Sequence, residues 1–138
     1  MKELAIRDLH IGDVVRLKAG VPVSGSRIGR VMELSDGSVY IDEKGYFEPS
    51  QIEGIHLAET QLLAKMGFVH DETQNCLNWG GRVRVYYDMA QGIDSVFAKN
   101  ERGEWKNLQC FYKVEYLHEL QQVFHLLCGM GFDIKLKR

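Results

Sequence analysis

Short strand-like segments separated by tight turns fill the first 56 residues, and this pattern constrains the fold more than any other feature of the chain. Turns containing glycine and aspartate recur about every ten residues, and apolar and polar side chains alternate between them. No helix longer than one turn fits into such segments. Four or five short strands joined in this way favour a small barrel, because closing the sheet removes its exposed edges.

The individual segments indicate which side chains enter the barrel. GDVVRL predicts a first strand with Val15 and Leu17 on its buried side. RIGRVMEL predicts a second strand that buries Ile28, Met32 and Leu34. SVYID and YFEP predict two more strands, and PSQIEGI predicts a short helical turn leading into the last one. Together these segments indicate an SH3-like β-barrel.

A different pattern follows the barrel. ETQLLAKMGF predicts a short helix, RVRVYYD, GIDSVFAK and EWKNLQCFYK predict an antiparallel meander, a second helix runs from about Val114 to Cys128, and FDIKLK predicts a closing strand. The predicted fold class is therefore α+β: a small SH3-like β-barrel followed by an antiparallel sheet packed by one long helix. We expect a barrel domain over 1–56 and an α+β domain over 57–138, with the order helix, three-stranded meander, helix, strand.

Composition narrows the classes of protein. The 138 residues are 45% hydrophobic and 26% charged, with a net charge of −2, so no overall field draws the chain to nucleic acid or to an anionic membrane. No apolar run approaches the roughly 20 residues that span a bilayer, and the N-terminus lacks a signal core. The three cysteines form no C-x-x-C pair. These features predict a cytoplasmic protein without a cofactor or a membrane partner.

Basic and aromatic residues of the barrel are candidates for partner binding. If the first two strands lie side by side, Arg16 and Arg30 would share a basic face with Lys18 and Arg27, and this face could contact phosphates. Acidic residues along the same strands offset it, so an ordinary solvated face is the alternative. Tyr40 and Tyr46 would form a groove for a peptide or a base, or else would complete the small core. The predicted partner-binding residues are Arg16, Arg30, Tyr40 and Tyr46.

The second helix contains YLHELQQVFH, which begins like the H-E-x-x-H motif of zinc hydrolases. That motif needs two histidines one turn apart, but Gln122 stands one turn after His118. His125 lies two turns away, about 10.5 Å along the axis, which is too far for the pair to bind one tetrahedral ion readily. We therefore expect no metal site.

Helix angles assign the side chains of this segment. At about 100° per residue, the apolar residues fall in one packing arc together with Tyr116 and Cys128; its apolar members are Leu117, Leu120, Val123, Phe124 and Leu127. His118, Gln122 and His125 fall in a separate polar stripe, which predicts a face towards solvent or towards another part of the protein. We expect His118, Gln121, Gln122 and His125 to make structural polar contacts. No other catalytic motif is present, since G-x-S-x-G, the P-loop and G-x-G-x-x-G do not occur.

Three segments together resemble the signatures of an uncharacterised protein family of Bacteroidetes genomes and their prophage regions. IRDLHIGDVV resembles its L-R-I-G-N-x-V opening, IEGIHLAETQLLAKMGF its I-P-L-T-x-E-x-L-x-K-x-G-F segment, and VEYLHELQQVFHLL its Y-V-H-Q-L-Q-N segment. Ala58 stands where the family has a threonine that would cap the first helix. Glu119 stands where the family has glutamine, so the resemblance implies that no carboxylate is needed there. It leaves His118 and Gln121 as the matching residues.

These observations favour a non-enzymatic binding or structural module, associated with a phage or another mobile element, whose partner is an unidentified protein. Two alternatives stay open: a nucleic-acid-binding protein that uses the barrel's basic and aromatic face, and a metal-dependent hydrolase that uses His118 and Glu119. A homo-oligomer contact along Leu126 and Met130 is a further hypothesis.

Overall fold

The computed structural model of the chain describes residues 4–73, 76–88, 92–108 and 114–128. The chain divides into two compact units, with the division after Ile55. Each unit contains one antiparallel sheet of five described strands, and the long helix belongs to the second unit. The α+β class predicted from the sequence is thereby confirmed. No helix within the described ranges is both long enough and apolar enough to cross a membrane.

The first unit is built on a curled sheet. Its strands are β1 (Val14–Leu17), β2 (Ile28–Ser35), β3 (Ser38–Ile41), β4 (Gly45–Phe47) and β5 (Ile52–Glu53). They lie in the order β4-β3-β2-β1-β5, so the last strand returns to pair with the first. A 3-10 turn over Pro49–Gln51 directly precedes β5, in the place where PSQIEGI predicts one. The returning strand is what curls the sheet into a half-barrel.

The core of this unit lies on one face of the curled sheet. Val15 and Leu17 are each 1% exposed and enter it as predicted. They pack in a cluster of aliphatic side chains that also includes Leu4, Leu9, Val21, Val31, Val39, Ile41 and Ile52. Burying one such side chain stabilises a fold by about 1.5–3 kcal/mol relative to leaving it in water. This cluster is the main source of stability for so small a unit.

A β-bulge in β2 changes which residues face the core. Val31 pairs with Ile41 and Glu33 pairs with Tyr40, so Met32 is an extra residue between them. The expectation that Met32 is buried is wrong, because Met32 is 47% exposed while Val31 is fully buried. The extra residue shifts the alternation by one position, so Leu34 packs against the core and Glu33 stays exposed.

Gly29 marks a close approach within the same core. A Cβ atom at this buried position would collide with Cγ2 of Ile41 on the neighbouring part of the sheet. The backbone conformation there is not left-handed, so space rather than the backbone angle requires glycine. The side chain of Ile41, on β3, therefore occupies the space that a side chain at Gly29 would need.

The second unit contains a meander of neighbouring strands. Its elements are α1 (Thr60–Lys65), β6 (Val69–Asp71), β7 (Cys76–Trp79), β8 (Val83–Asp88), β9 (Gly92–Lys99), β10 (Trp105–Asn107) and α2 (Leu117–Cys128). The described strands lie in chain order, β10-β9-β8-β7-β6. The sequence predicted β8, β9 and β10 but not β6 and β7. At the edge of the sheet β6 exposes both Val69 and His70, so it lacks the alternation that marks a strand. The strand predicted for FDIKLK lies outside the described residues.

The helix α2 uses the apolar arc that its sequence predicts. Leu117, Leu120 and Phe124 are fully buried and Val123 is 6% exposed. The ring of Phe124 meets Trp79 of β7 edge to face, with centroids 6.1 Å apart. Leu63 of α1 and Met66, the residue that follows α1, are buried. The apolar stripes of both helices therefore face the interior of their own unit.

Candidate functional site

The outer face of the first sheet holds all four residues that the sequence proposes for partner binding. In the β1–β2 register, Val14 pairs with Arg30 and Arg16 pairs with Ile28, so both arginines project from the side opposite Val15 and Val31. Tyr40 pairs with Tyr46 between β3 and β4, on the side opposite the buried Val39 and Ile41. The register thus brings Arg16, Arg30, Tyr40 and Tyr46 onto one face.

Charge on this face is mixed. Nε of Arg16 donates to Oε1 of Glu53 at 3.1 Å, and both side chains are largely buried. Asp42 lies beside Arg30, since its backbone N–H donates to the carbonyl of Arg30 at 3.0 Å. Between residues 28 and 48 the chain carries five acidic and two basic side chains. The region around the tyrosines is therefore acidic.

Arg27 does not add to a basic face. Its guanidinium Nη1 donates to the backbone carbonyls of Lys18 at 2.7 Å and Val21 at 2.8 Å. Two bonds from one charged group to main-chain carbonyls hold the connection between β1 and β2 in place. The sequence interpretation of Arg27 as part of a phosphate-binding face is therefore replaced by a structural role.

Tyr40, Tyr46 and Glu33 form a group on the outer face that we call the tyrosine cluster; Glu33 and Tyr46 are exposed and Tyr40 is half-buried. The two rings lie 4.9 Å apart between centroids and are tilted by 60°. Tyr46 is 58% exposed, and its phenol donates to Oε2 of Glu33 at 3.2 Å. This hydrogen bond and the charge of Glu33 raise the pKa of the Tyr46 phenol above its ordinary value. The phenol therefore stays protonated at physiological pH and keeps donating.

Glu33 is the member of this cluster that the sequence did not place in a site. It faces outward because the bulge at Met32 moves it to the side of Tyr40 and Tyr46. Nothing in RIGRVMEL signals a bulge, since the same letters fit a regular strand. The cluster as a whole offers two aromatic faces beside a carboxylate, an arrangement that suits a cationic ligand.

The H-E pair of the second helix has a structural explanation. Oε1 of Glu119 accepts the backbone N–H groups of Glu115 and Tyr116, each at 3.0 Å. Glu119 is the third residue of α2, and a carboxylate at this position satisfies donors that a helix start leaves without partners. This capping also explains why α2 begins at Leu117 rather than near Val114.

The histidines of α2 are placed differently from the prediction. His118 is 1% exposed and Gln121 is 7% exposed, so both belong to the buried side, whereas His125 is exposed. The expectation of one polar stripe that contains His118, Gln122 and His125 is therefore wrong. Gln122 is half-buried. Within the described residues, no group of three or more histidine, cysteine or acidic side chains is arranged to hold a metal ion.

An aromatic series ties the start of α2 to the start of the second unit. The Tyr116 ring stacks on His118 at 5.8 Å and meets His56 edge to face at 5.4 Å. His56 and Tyr116 also form an isolated β-bridge. Nδ1 of His56 accepts the backbone N–H of Ala58 at 3.0 Å. These contacts are those of a structural junction.

A shallow, open depression lies at the β6–β7 hairpin. Its lining includes His70, Asp71, Glu72 and Asn78. Its openness to solvent gives a ligand little surface to contact, so the tyrosine cluster is the stronger candidate site. No protein-family model, curated protein or solved structure matches the chain.

Proposed function

We propose that this protein is a non-enzymatic binding module that engages a positively charged segment of a partner protein through the tyrosine cluster. The observation that carries this proposal is the pair of the half-buried Tyr40 and the exposed Tyr46, held beside Glu33 in an acidic part of the sheet. Lysine and arginine side chains are attracted to tyrosine ring faces and to carboxylates. The cluster offers both within the reach of one side chain.

We further propose that the first unit is an SH3-like barrel. Support comes from five short antiparallel strands, from the 3-10 turn at Pro49–Gln51, and from the pairing of β5 with β1 that curls the sheet. Such a barrel leaves one face of its strands available for a ligand while the opposite face forms the core. The tyrosine cluster lies on that outer face.

The charge distribution favours a protein partner over nucleic acid for this surface. Arg16 is paired with Glu53 and Arg27 holds backbone carbonyls, so neither adds a net positive field to the face. Phosphate binding needs several such charges together. The hydrolase alternative has less support, because the carboxylate of Glu119 caps the helix.

A titration with defined probes tests the proposal. We expect a short alternating Lys–Ala peptide to shift the NMR signals of Tyr40 and Tyr46, and an alternating Glu–Ala peptide to shift neither. Tyr46→Ala is expected to weaken binding about fivefold or more, as for an important interface side chain. Ile11→Ala is the matched control, since Ile11 is an exposed apolar residue of the same unit, at 67%.

Absence of binding by the basic peptide, or an equal affinity for the Tyr46→Ala variant, would overturn the proposal. A single- or double-stranded oligonucleotide that shifts the same signals, with an affinity that falls steeply with salt, would favour nucleic acid at this surface instead. The resemblance to a prophage-associated family supports the further proposal that the module serves a mobile element. Phage genes beside its own gene are the expected finding.

A further inference from the structure

The sheet of the second unit has two faces of different chemistry. One face carries aliphatic side chains that are at most 3% exposed, namely Leu77, Val83, Val85, Val96 and Ala98. Trp79 lies on this side as the strand partner of Val83, and it contacts Phe124 of α2. This face is a normal hydrophobic core against a helix.

The opposite face is aromatic, polar and basic. The registers pair Arg84 with Phe97, Phe97 with Asn107 and Lys99 with Trp105, so these side chains project together across β8, β9 and β10. We call Arg84, Tyr86, Phe97, Lys99 and Trp105 the aromatic face. All five are half-buried, so each keeps part of its surface in solvent. Cys76, the first residue of β7, lies on this side of the sheet and is buried.

The side chains of the aromatic face contact one another. Cζ of Arg84 lies 4.2 Å from the ring centroid of Trp105, and Nζ of Lys99 lies 5.6 Å from the same centroid. The rings of Tyr86 and Phe97 meet edge to face at 5.7 Å. Three aromatic rings and two cations therefore stand side by side on three neighbouring strands.

The strand side chains that the structure describes on this face carry more positive than negative charge. Among the strand side chains that the structure describes there, one is acidic, Asp71 on the edge strand β6, two strands away from Arg84. Besides Asp71 and the five residues of the aromatic face, the described strand side chains on this side are Val69, Cys76, Asn78, Ser95 and Asn107. The first sheet differs, because acidic residues surround its tyrosines. The tyrosine cluster of the first unit therefore favours a cationic ligand, and the aromatic face of the second unit favours an anionic one.

We propose that the aromatic face of the second unit binds single-stranded nucleic acid. Unpaired bases stack on aromatic rings and on arginine planes, and lysine and arginine neutralise the phosphates between them. A duplex keeps its bases stacked inside, so a sheet of this kind selects the single strand. The inference is independent of the partner-protein role proposed for the first unit, because it uses other residues on another sheet.

The two tryptophans of the chain provide the test, because they lie on opposite faces of the same sheet. Trp79→Phe leaves Trp105 as the fluorescent residue, and Trp105→Phe leaves Trp79. We expect a single-stranded oligodeoxythymidylate of about 12 nucleotides to quench the Trp79→Phe protein and to leave the Trp105→Phe protein nearly unchanged. Equal quenching of both proteins, or quenching of neither, would overturn the proposal.

Binding strength gives a second measurement on the full-length chain. By fluorescence anisotropy with a labelled oligonucleotide, we expect Trp105→Leu to weaken binding about fivefold or more, and Trp105→Phe to retain most of it. We expect Lys99→Glu to weaken binding and to reduce its dependence on salt. Ile11→Ala, at an exposed position of the first unit outside both proposed surfaces, serves as the control that leaves this affinity unchanged.

Competitors separate the other ligands that an aromatic surface could take. A duplex of the same sequence is expected to compete poorly, and an uncharged oligosaccharide is expected not to compete at all. Displacement of the oligonucleotide by the oligosaccharide would identify the aromatic face as a carbohydrate platform and would refute the nucleic-acid assignment. Salt-independent binding would refute it as well, because it would show that the phosphates are not contacted.

Discussion

Replacing Glu119 by alanine should loosen α2 without touching its packing face. The substitution removes the oxygen that accepts the N–H groups of Glu115 and Tyr116 at 3.0 Å. Loss of a capping side chain costs about 0.5–2 kcal/mol, and loss of a negative charge near a helix N-terminus costs about 0.3–1 kcal/mol. We therefore expect Glu119→Ala to lower the free energy of unfolding of the second unit by about 1–2 kcal/mol.

Glu119→Gln is the matched control, because it keeps an acceptor oxygen and removes the charge. We expect it to lose about half as much stability as the alanine variant, on the order of 0.5–1 kcal/mol. Urea unfolding measures both, with Trp79 as the probe in a Trp105→Phe background. Trp79 contacts Phe124 of the helix, so its fluorescence reports the packing of α2.

Two results would refute this reasoning. An unchanged unfolding midpoint in Glu119→Ala would show that the two hydrogen bonds do not hold the helix start. An equal loss in Glu119→Gln would show that charge, rather than the acceptor oxygen, accounts for the stabilisation. Either result would reopen the question of what the H-E pair does.

Three further predictions concern packing and titration. Phe124→Ala should cost about 3–5 kcal/mol, whereas Leu126→Ala, at a position 73% exposed, should stay within about 0.5 kcal/mol in the same urea assay. Gly29→Ala should cost about 1–3 kcal/mol through its collision with Ile41, and Ile41→Leu, which lacks the branch at Cβ, should recover part of that loss. Burial, reinforced by Asp71, raises the pKa of the Cys76 thiol, so in a variant without the other two cysteines the folded protein should react with a thiol reagent more slowly than the unfolded chain. Because the pKa of the Cys76 thiol is higher in the folded protein than in the unfolded chain, the folded state favours the neutral thiol. Its contribution to the free energy of unfolding is fully present below the pKa of the unfolded chain and is lost as the pH rises through the pKa of the folded protein. Chemical denaturation at several pH values checks this.

The packing face of α2 was predictable because it depends on local geometry. A period of 3.6 residues places Leu117, Leu120 and Phe124 together whatever surrounds the helix, and all three are buried. The burial of His118 was not predictable in this way. Its depth depends on Tyr116 and on the other chain segments that reach it, and no angle along the helix encodes them.

The candidate sites also combine features that the local sequence predicts with features that only the fold determines. Alternation in the strands put Arg16 and Arg30 on an outer face, and the register agrees. The ion pair between Arg16 and Glu53 joins strands that are 37 residues apart in sequence, so only the fold brings these charges together. The aromatic face of the second unit was missed for a related reason, since Trp105 and Arg84 come from strands that are not consecutive.

The bulge at Met32 has a consequence for how variants of this chain should be compared. A β2 strand that kept Met32 but paired regularly with β3, without the bulge, would turn Glu33 towards the core and Leu34 towards solvent, whereas deleting Met32 would leave Glu33 opposite Tyr40 and Leu34 opposite Val39. In the strand without the bulge, Tyr46 would lose its hydrogen-bond acceptor although both tyrosines and the glutamate were retained. Among related chains, the β2–β3 register beyond Val31 is therefore a better indicator of a working tyrosine cluster than the identity of the residues.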